Sequence, residues 1–432
     1  MTLKATDVFT PGAFPEYTYI DRSAKPGDKK SQNLEQLLRD ALDTKGQLVS
    51  LAGPSKSGKT VLVEKVVGKD NLISVSGVGI REPEDIWSKV LAWMGSPTSV
   101  TVSDSSGREA SVSVGGKVKA GILGFGGGEA GADGGLKSNT SKTSTRTRSV
   151  GGLPQVEREI AGSDYVVLVD DFHYMPRDVQ SEAAKALKEA VRLGIKICTA
   201  AVLHRGDDIL RANPELRGRV STLDLTYWHV DDLIRIAVAG FESLNIGVSV
   251  DWLGRFALEA AGSPQLMQQI CLQTCFVMNV RVKQASYTEI VLDGDLLERI
   301  FEQVSITADF RSLVDVLDAG PKTRGTERKM YSFIDGTNGD VYRCVLKAVA
   351  LNPPVLSFPY PRLLERTEEI CEGEGPVGSS VTGTCVHMAR LAEDKFPTER
   401  VIDWDEQTQI LDIPDPYLLF YLRWSGRLKE IN

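Results

Sequence analysis

Apolar positions along the chain follow two rhythms, and their alternation predicts an architecture. Between 32 and 44, Leu34, Leu37, Leu38 and Leu42 recur at the three- and four-residue spacing of one helix face. The short apolar run at 47–52 predicts a strand that ends in a glycine-rich turn, and 60–67 then returns to helix. Further runs suited to buried strands lie at 72–77, 165–169 and 195–203, separated by helical patterns at 84–95 and 178–192. Apolar strands alternating with helices predict an α/β fold, a parallel sheet covered on both faces.

Two regions depart from that rhythm. The stretch 97–152 is rich in Gly, Ser and Thr and carries period-2 segments at 99–103 (SVTVS) and 110–114 (ASVSV), which predict an inserted β-hairpin with a glycine-rich loop. Its end holds Lys137, Lys142, Arg146 and Arg148 without an acid. Two readings stay open there: a solvated excursion, or an element facing a protein partner, a nucleic acid or a membrane. Beyond the sheet, 230–310 is mostly helical in pattern, including 252–261 and 264–280, and reads as a helical lid. Helices at 340–351, 361–371 and about 378–393, then short strands around 400–404 and 408–413, give the order of a winged helix. The expected division is therefore a core at 1–228, a lid at 229–325 and a winged-helix domain at 326–432.

Composition narrows the classes. The 432 residues are 42% apolar and 25% charged, as in a soluble globular protein of two or three domains. The six cysteines include no CxxC pair, so structural zinc is not expected. No run approaches the roughly 18 apolar residues of a membrane span. The start lacks a charged-then-apolar leader, so a cytoplasmic setting is the expectation. The net charge of −8 argues against a surface that grips nucleic acid everywhere. In 341–432 there are 10 Lys and Arg against 14 Asp and Glu, a local balance of −4. The third helix offers Ser379, Ser380, Thr382, Thr384, His387 and Arg390, which favours a protein contact or intrachain regulation over DNA.

The chemistry lies at Gly53-Pro54-Ser55-Lys56-Ser57-Gly58-Lys59-Thr60, which fits G-x-x-x-x-G-K-[ST] between a predicted strand and a predicted helix, with Val61 in the first turn. Glycines let backbone N–H groups wrap phosphate oxygens at a helix N-terminus, where the dipole also favours anions. Lys59 is expected to bridge the β and γ phosphates of ATP, and Thr60 to offer its hydroxyl to Mg²⁺. The strand Tyr165–Val169 delivers Asp170 and Asp171 to the carboxyl edge of the sheet. Asp170 is expected in the Mg²⁺ shell, and Asp171 is expected to orient or deprotonate the attacking water. An N-K-x-D motif and an LSGGQ-like motif are both absent, which disfavours a GTPase and a transporter-type ATPase.

Together these residues resemble the AAA+ and STAND branch of P-loop ATPases, including origin-recognition-like and archaeal-type regulators. The resemblance covers roughly 15–285. It implies that Tyr19-Ile20-Asp21-Arg22 packs near adenine, with Tyr19 and Arg22 as nucleotide contacts. It also implies that Thr199 on the 195–203 strand faces the γ phosphate. The segment His204–Val220 is similar to the stretch that carries an arginine finger for a neighbouring subunit, with Arg217 and Arg219 as candidates and Arg205 in reserve; ion pairing with Asp207, Asp208 and Glu215 is the alternative. Gly262-Ser263-Pro264 matches a G-x-P turn that brings Pro264 to the nucleotide, followed by Gln265 and Gln268 where an arginine sensor is usual. At the second acidic position Asp171 is one methylene shorter than the Glu of most relatives. The close of the chain, Asp415-Pro416 through Phe420, Tyr421, Arg423 and Trp424, resembles the end of winged-helix domains in these families and is expected to pack as core. The function implied is an ATP-driven, homo-oligomeric switch that signals to a protein partner through the winged helix or the 97–152 insert, in signalling or anti-phage defence. A DNA-associated transposition helper or initiator, using Lys137–Arg148, is the first alternative. A scaffold that binds ATP with little turnover is the second.

Overall fold

The computed structural model describes residues 2–22, 33–96, 99–104, 144–149, 152–202, 209, 212–322, 327–396 and 401–430. A single helical turn, α1 (Ala5–Val8), precedes α2 (Leu34–Asp43), whose N-cap Asn33 accepts a hydrogen bond from Gln36 N–H. The strand β1 (Leu48–Ala52) is buried throughout and leads into α3 (Lys59–Val67). Then come β2 (Leu72–Ser76) and α4 (Pro83–Met94), a helix with proline in its first turn and a left-handed Gly95 at its end. The insert pairs β3 (Ser99–Asp104) with β4 (Ser144–Ser149), antiparallel. Next are α5 (Leu153–Ile160), β5 (Val166–Asp170), α6 (Arg177–Arg192), β6 (Lys196–Ala201) and β7 (Val220–Asp224).

Strands β2, β5, β6, β1 and β7 stand side by side in that order and are all parallel. Period-2 alternation decides which helices each strand meets. Leu48, Ile73, Val75, Val167, Val169 and Ile197 pack under α4, α5 and α6. Val49, Leu51, Leu72, Val166, Leu168, Cys198 and Ala200 pack under α2 and α3. With both faces covered, the α/β sheet expected from the sequence is the one observed.

The strand β7 has no counterpart in the sequence reading. It is an edge strand in which Leu223 alone is fully buried, so it lacks the apolar run that marked its neighbours. The hairpin also differs from expectation. The partner of 99–104 is 144–149, read from sequence as a basic tail, while 110–114 lies outside the described residues. Pairing across so long an insertion leaves no local turn signal.

The second half is largely helical: α7 (Val230–Ser243), α8 (Val250–Glu259), α9 (Pro264–Val277), α10 (Gly294–Ile306) and α11 (Arg311–Ala319), with a small parallel pair β8 (Ile246–Val248) and β9 (Thr288–Ile290). After a short hairpin, β10 (Tyr331–Ser332) and β11 (Asn338–Gly339), the order is α12 (Val341–Val349), β12 (Ser357–Pro359), α13 (Tyr360–Ile370), α14 (Gly378–Lys395), β13 (Asp403–Asp405) and β14 (Ile410–Asp412). β12, β14 and β13 form a three-stranded antiparallel sheet; β12 adds a strand to the hairpin expected from sequence. The chain closes with α15 (Pro416–Trp424) and α16 (Arg427–Glu430).

One apolar core joins all of this half and takes in α1 as well. Phe9 meets Phe241 edge-on at 5.1 Å, and Gly240 is needed beneath it, because a Cβ there would lie 2.2 Å from the Phe9 ring. The closing aromatics are core, as expected: Phe301 of α10 packs at 5.5 Å from Phe420 and 4.7 Å from Trp424. Beside them Arg423 donates to both carboxylate oxygens of Glu259, at 2.8 and 2.7 Å, with the pair almost out of solvent. Trp424 Nε1 donates to the same carboxylate at 2.7 Å. Among the described residues no helix is long and apolar enough to cross a membrane.

Candidate nucleotide-binding site

The loop from Gly53 to Gly58 leaves the carboxyl end of β1 and opens α3. Gly53 is there for space: a Cβ would lie 2.8 Å from Leu225 Cβ. Gly58 is there for conformation, with φ of 90° at the N-cap of α3. The first N–H groups of α3 are thus left for a ligand, the arrangement that binds anions. Ser55, Lys56, Ser57, Gly58, Lys59, Thr60 and Val61 line a cavity of about 400 Å³. Gly53 and Pro54 contribute through their carbonyls, which accept from Lys59 Nζ at 3.1 and 2.8 Å. Burial lowers the Lys59 pKa, against the pull of Asp170 and Asp171.

From β5, with one strand between it and β1, the second element arrives. Asp170 Oδ2 accepts the Thr60 hydroxyl at 2.7 Å, joining residues 110 positions apart. Its Oδ1 accepts Asp171 N–H at 2.9 Å, and Asp171 turns into the cavity wall in a left-handed conformation, φ 56°. A phosphate-type loop and a strand-end acid thus meet at the carboxyl edge of a parallel sheet.

The fold is an α/β P-loop NTPase.

Solved structures similar to the chain include Cdc6p from Pyrobaculum aerophilum, at 14% identity over 100% of this chain and 99% of that one, with a TM-score of 0.42. The Walker-type ATPase of Pyrococcus abyssi matches at 13% identity over 94% and 99%, TM-score 0.47. The Aeropyrum pernix ORC2 protein matches at 12% identity over 99% and 99%, TM-score 0.45. No protein-family model matches the chain. No curated protein matches it either. The fold assignment rests on this chain's own sheet, loop and acidic strand.

Around the P-loop the other candidates fall on both sides of expectation. Tyr19 and Arg22 line the cavity, on a segment that runs from Thr10 along its wall. Tyr19 donates to Glu35 Oε1 at 2.8 Å and stacks on Phe14; burial, then Glu35, raises its pKa. Arg22 donates to the Thr226 carbonyl at 2.8 Å and lies 4.9 Å over the Trp228 ring. Pro264 also lines the cavity, placed by the left-handed Gly262 and by Ser263, which caps α9 by accepting Leu266 N–H. Thr199 is different. It sits inside β6 with its hydroxyl donated to the Val49 carbonyl, and Ala201 and Val202 reach the cavity in its place. The strand itself lies within the 195–203 expected from sequence, but Thr199 is not among the residues that line the cavity.

Arg217 and Arg219 are exposed and stand just before β7. That strand runs parallel to β1, so its start lies at the edge of the sheet opposite the P-loop. Both arginines are therefore remote from their own chain's site. Glu215, offered from sequence as their partner, pairs with Lys188; Arg219 is a minor electrostatic neighbour. Arg205, Asp207 and Asp208 lie outside the described residues, as do Lys137 and Lys142.

Trp228 was not read from the sequence as a site residue: its Nε1 donates to the Ser57 carbonyl at 2.9 Å, across 171 positions, and no local motif marks it. Gln268, noted from sequence where an arginine sensor is usual, accepts Thr10 N–H at its Oε1 at 2.8 Å and ties the N-terminal wall to α9.

The donor set fits a magnesium nucleotide. Among the described residues Ser57 Oγ and Arg22 Nη1 are buried without a hydrogen-bond partner, and both residues line the cavity. Thr60 and Asp170 bring a hydroxyl and a carboxylate together, hard oxygen donors of the kind Mg²⁺ takes with few protein ligands.

Proposed function

We propose that the chain is an ATP-dependent switch of the AAA+ and STAND type, in which ATP and Mg²⁺ occupy the cavity between the P-loop, the 10–22 wall and α9. The observation that carries this reading is the contact of Thr60 with Asp170 beneath an anion-binding helix start. The volume of about 400 Å³ suits a ligand of nucleotide size. When bound, Mg²⁺ supplies positive charge between the terminal phosphates. Thr60 and Asp170 would hold it, Lys59 would leave the Gly53 and Pro54 carbonyls for the phosphates, and Asp171 would orient or deprotonate the attacking water. Tyr19 and Arg22 would face the nucleoside.

Arg217 and Arg219 lie at the far edge of the sheet, which favours action on a neighbouring copy and hence a homo-oligomer. We divide the chain into core 1–228, lid 229–325 and winged-helix domain 326–432, the last serving a protein partner in signalling or defence. Lys59→Ala is expected to abolish ATP binding in calorimetry with the fold retained, because the terminal phosphates lose their cation. Asp171→Asn should bind ATP and release phosphate on the order of 10²-fold or more slower. Tight ATP binding by folded Lys59→Ala overturns the site. Salt-dependent DNA binding would favour the DNA-associated alternative, and ATP binding with negligible turnover the scaffold.

A further inference from the structure

Lys56 stands in the P-loop with φ of 59°, a left-handed conformation uncommon outside glycine. Its ammonium is drawn out of the loop. Nζ lies 2.6 Å from Asp415 Oδ2 and 4.4 Å from the centre of the Tyr417 ring, so the phosphate loop touches a helix 359 positions away in sequence. Asp415 is nearly buried and held at its other oxygen, where Oδ1 caps α15 by accepting Tyr417 N–H at 2.9 Å. At its far end α15 is fastened to α8 through Arg423 and Glu259. The loop's own main chain is gripped nearby: Trp228 Nε1 donates to the Ser57 carbonyl, and Ser263 Oγ to that of Lys56 at 3.5 Å.

Lys56 also lines the cavity. A triphosphate in the loop competes with Asp415 for this ammonium, and the Asp415 charge opposes the incoming phosphates. We propose that Lys56, Asp415 and Tyr417 form a nucleotide-sensitive latch: shut in this structure, it loosens when a nucleoside triphosphate fills the P-loop, so occupancy of the loop sets how firmly α15 sits on the core. This rests on the reading of the loop as an ATP site and names the element through which that site is felt in the C-terminal half. Linkage makes the coupling reciprocal: whatever factor ATP takes from the latch, the latch takes from ATP.

The test uses Asp415→Asn in the full chain, since asparagine keeps the helix cap and removes the charge. Affinity for ATP·Mg²⁺ is expected to tighten by about fivefold or more. In a Lys56→Gly background, where glycine accepts the left-handed backbone and the latch is already gone, the same substitution should change affinity little. Hydrogen exchange of the α15 amides should rise when wild type binds ATP·Mg²⁺; in Asp415→Asn it should be high from the start and insensitive to nucleotide. Equal or weaker ATP affinity in Asp415→Asn overturns the latch, as does α15 exchange in wild type that ignores bound ATP. Failure of folded wild type to bind ATP at all overturns the nucleotide reading, and the latch with it.

Discussion

Gly77 makes a demanding test of the acidic pair because it touches no ligand. It follows β2, and its N–H donates to the Asp170 carbonyl at 2.7 Å. A Cβ at this position would lie 2.4 Å from the Asp171 carbonyl oxygen and 2.9 Å from its carbonyl carbon, where ordinary contact begins at 3.4 Å. The obstacle is main chain, which cannot swing aside as a side-chain tip does, so Gly77→Ala must displace the Asp171 backbone by ~1 Å. Asp171 already holds a left-handed conformation, so the shift acts on a strained residue. Overpacking of this kind costs about 1–3 kcal/mol of stability. Misplacing a reacting group by ~1 Å costs on the order of 10² in rate. The expected result is phosphate release at saturating ATP·Mg²⁺ reduced about 10²-fold, with ATP affinity within a few-fold of wild type, since the P-loop is untouched. Gly254→Ala is the control, because a Cβ there meets nothing within 4 Å. A folded Gly77→Ala protein that hydrolyses ATP at the wild-type rate would refute the placement of Asp171 at the reacting water.

Assembly gives a second expectation: turnover per subunit should rise with protein concentration, and Arg217→Ala or Arg219→Ala should lower it with ATP affinity unchanged. Mixing either with Lys59→Ala should restore activity, and its absence despite co-assembly counts against a finger supplied by a neighbour. Arg423→Met leaves the buried Glu259 without its cationic partner and with the Trp424 Nε1 donor still on it; urea unfolding should show a loss of about 3–5 kcal/mol, part of it recovered when Glu259→Leu is added. At Asp335, burial pushes the pKa up, but hydrogen bonds from Lys347 and Thr337 outweigh it and lower the pKa from 3.8 to about 2. The stabilisation is present above the unfolded carboxylate pKa and is lost as pH falls through about 4 to 2. The acid-unfolding curves of Asp335→Asn and wild type should converge below that window, and a constant offset down to pH 2 would contradict the pairing.

Sequence alone determined whatever is written in neighbouring residues. The P-loop needs its glycines and Lys59 within eight positions, and the apolar strand before Asp170 announces itself by composition, so four strands of the core sheet and the two elements of the candidate site were legible. The helices of the second half were equally local, read from their hydrophobic pattern. Tertiary structure decided what depends on distant pairs. The edge strand β7 is held by backbone bonds to β1 rather than by an apolar run, so no pattern marks it. Partnering of 99–104 with 144–149 is a matter of register across a long insertion. Thr199 shows the limit within one element: the sequence places a residue on a strand, but only the stagger of the sheet decides which residue reaches the edge. The hold of Trp228 on Ser57 and of Asp415 on Lys56 arises where folded surfaces meet, and contacts between surfaces carry no periodicity for a sequence to display.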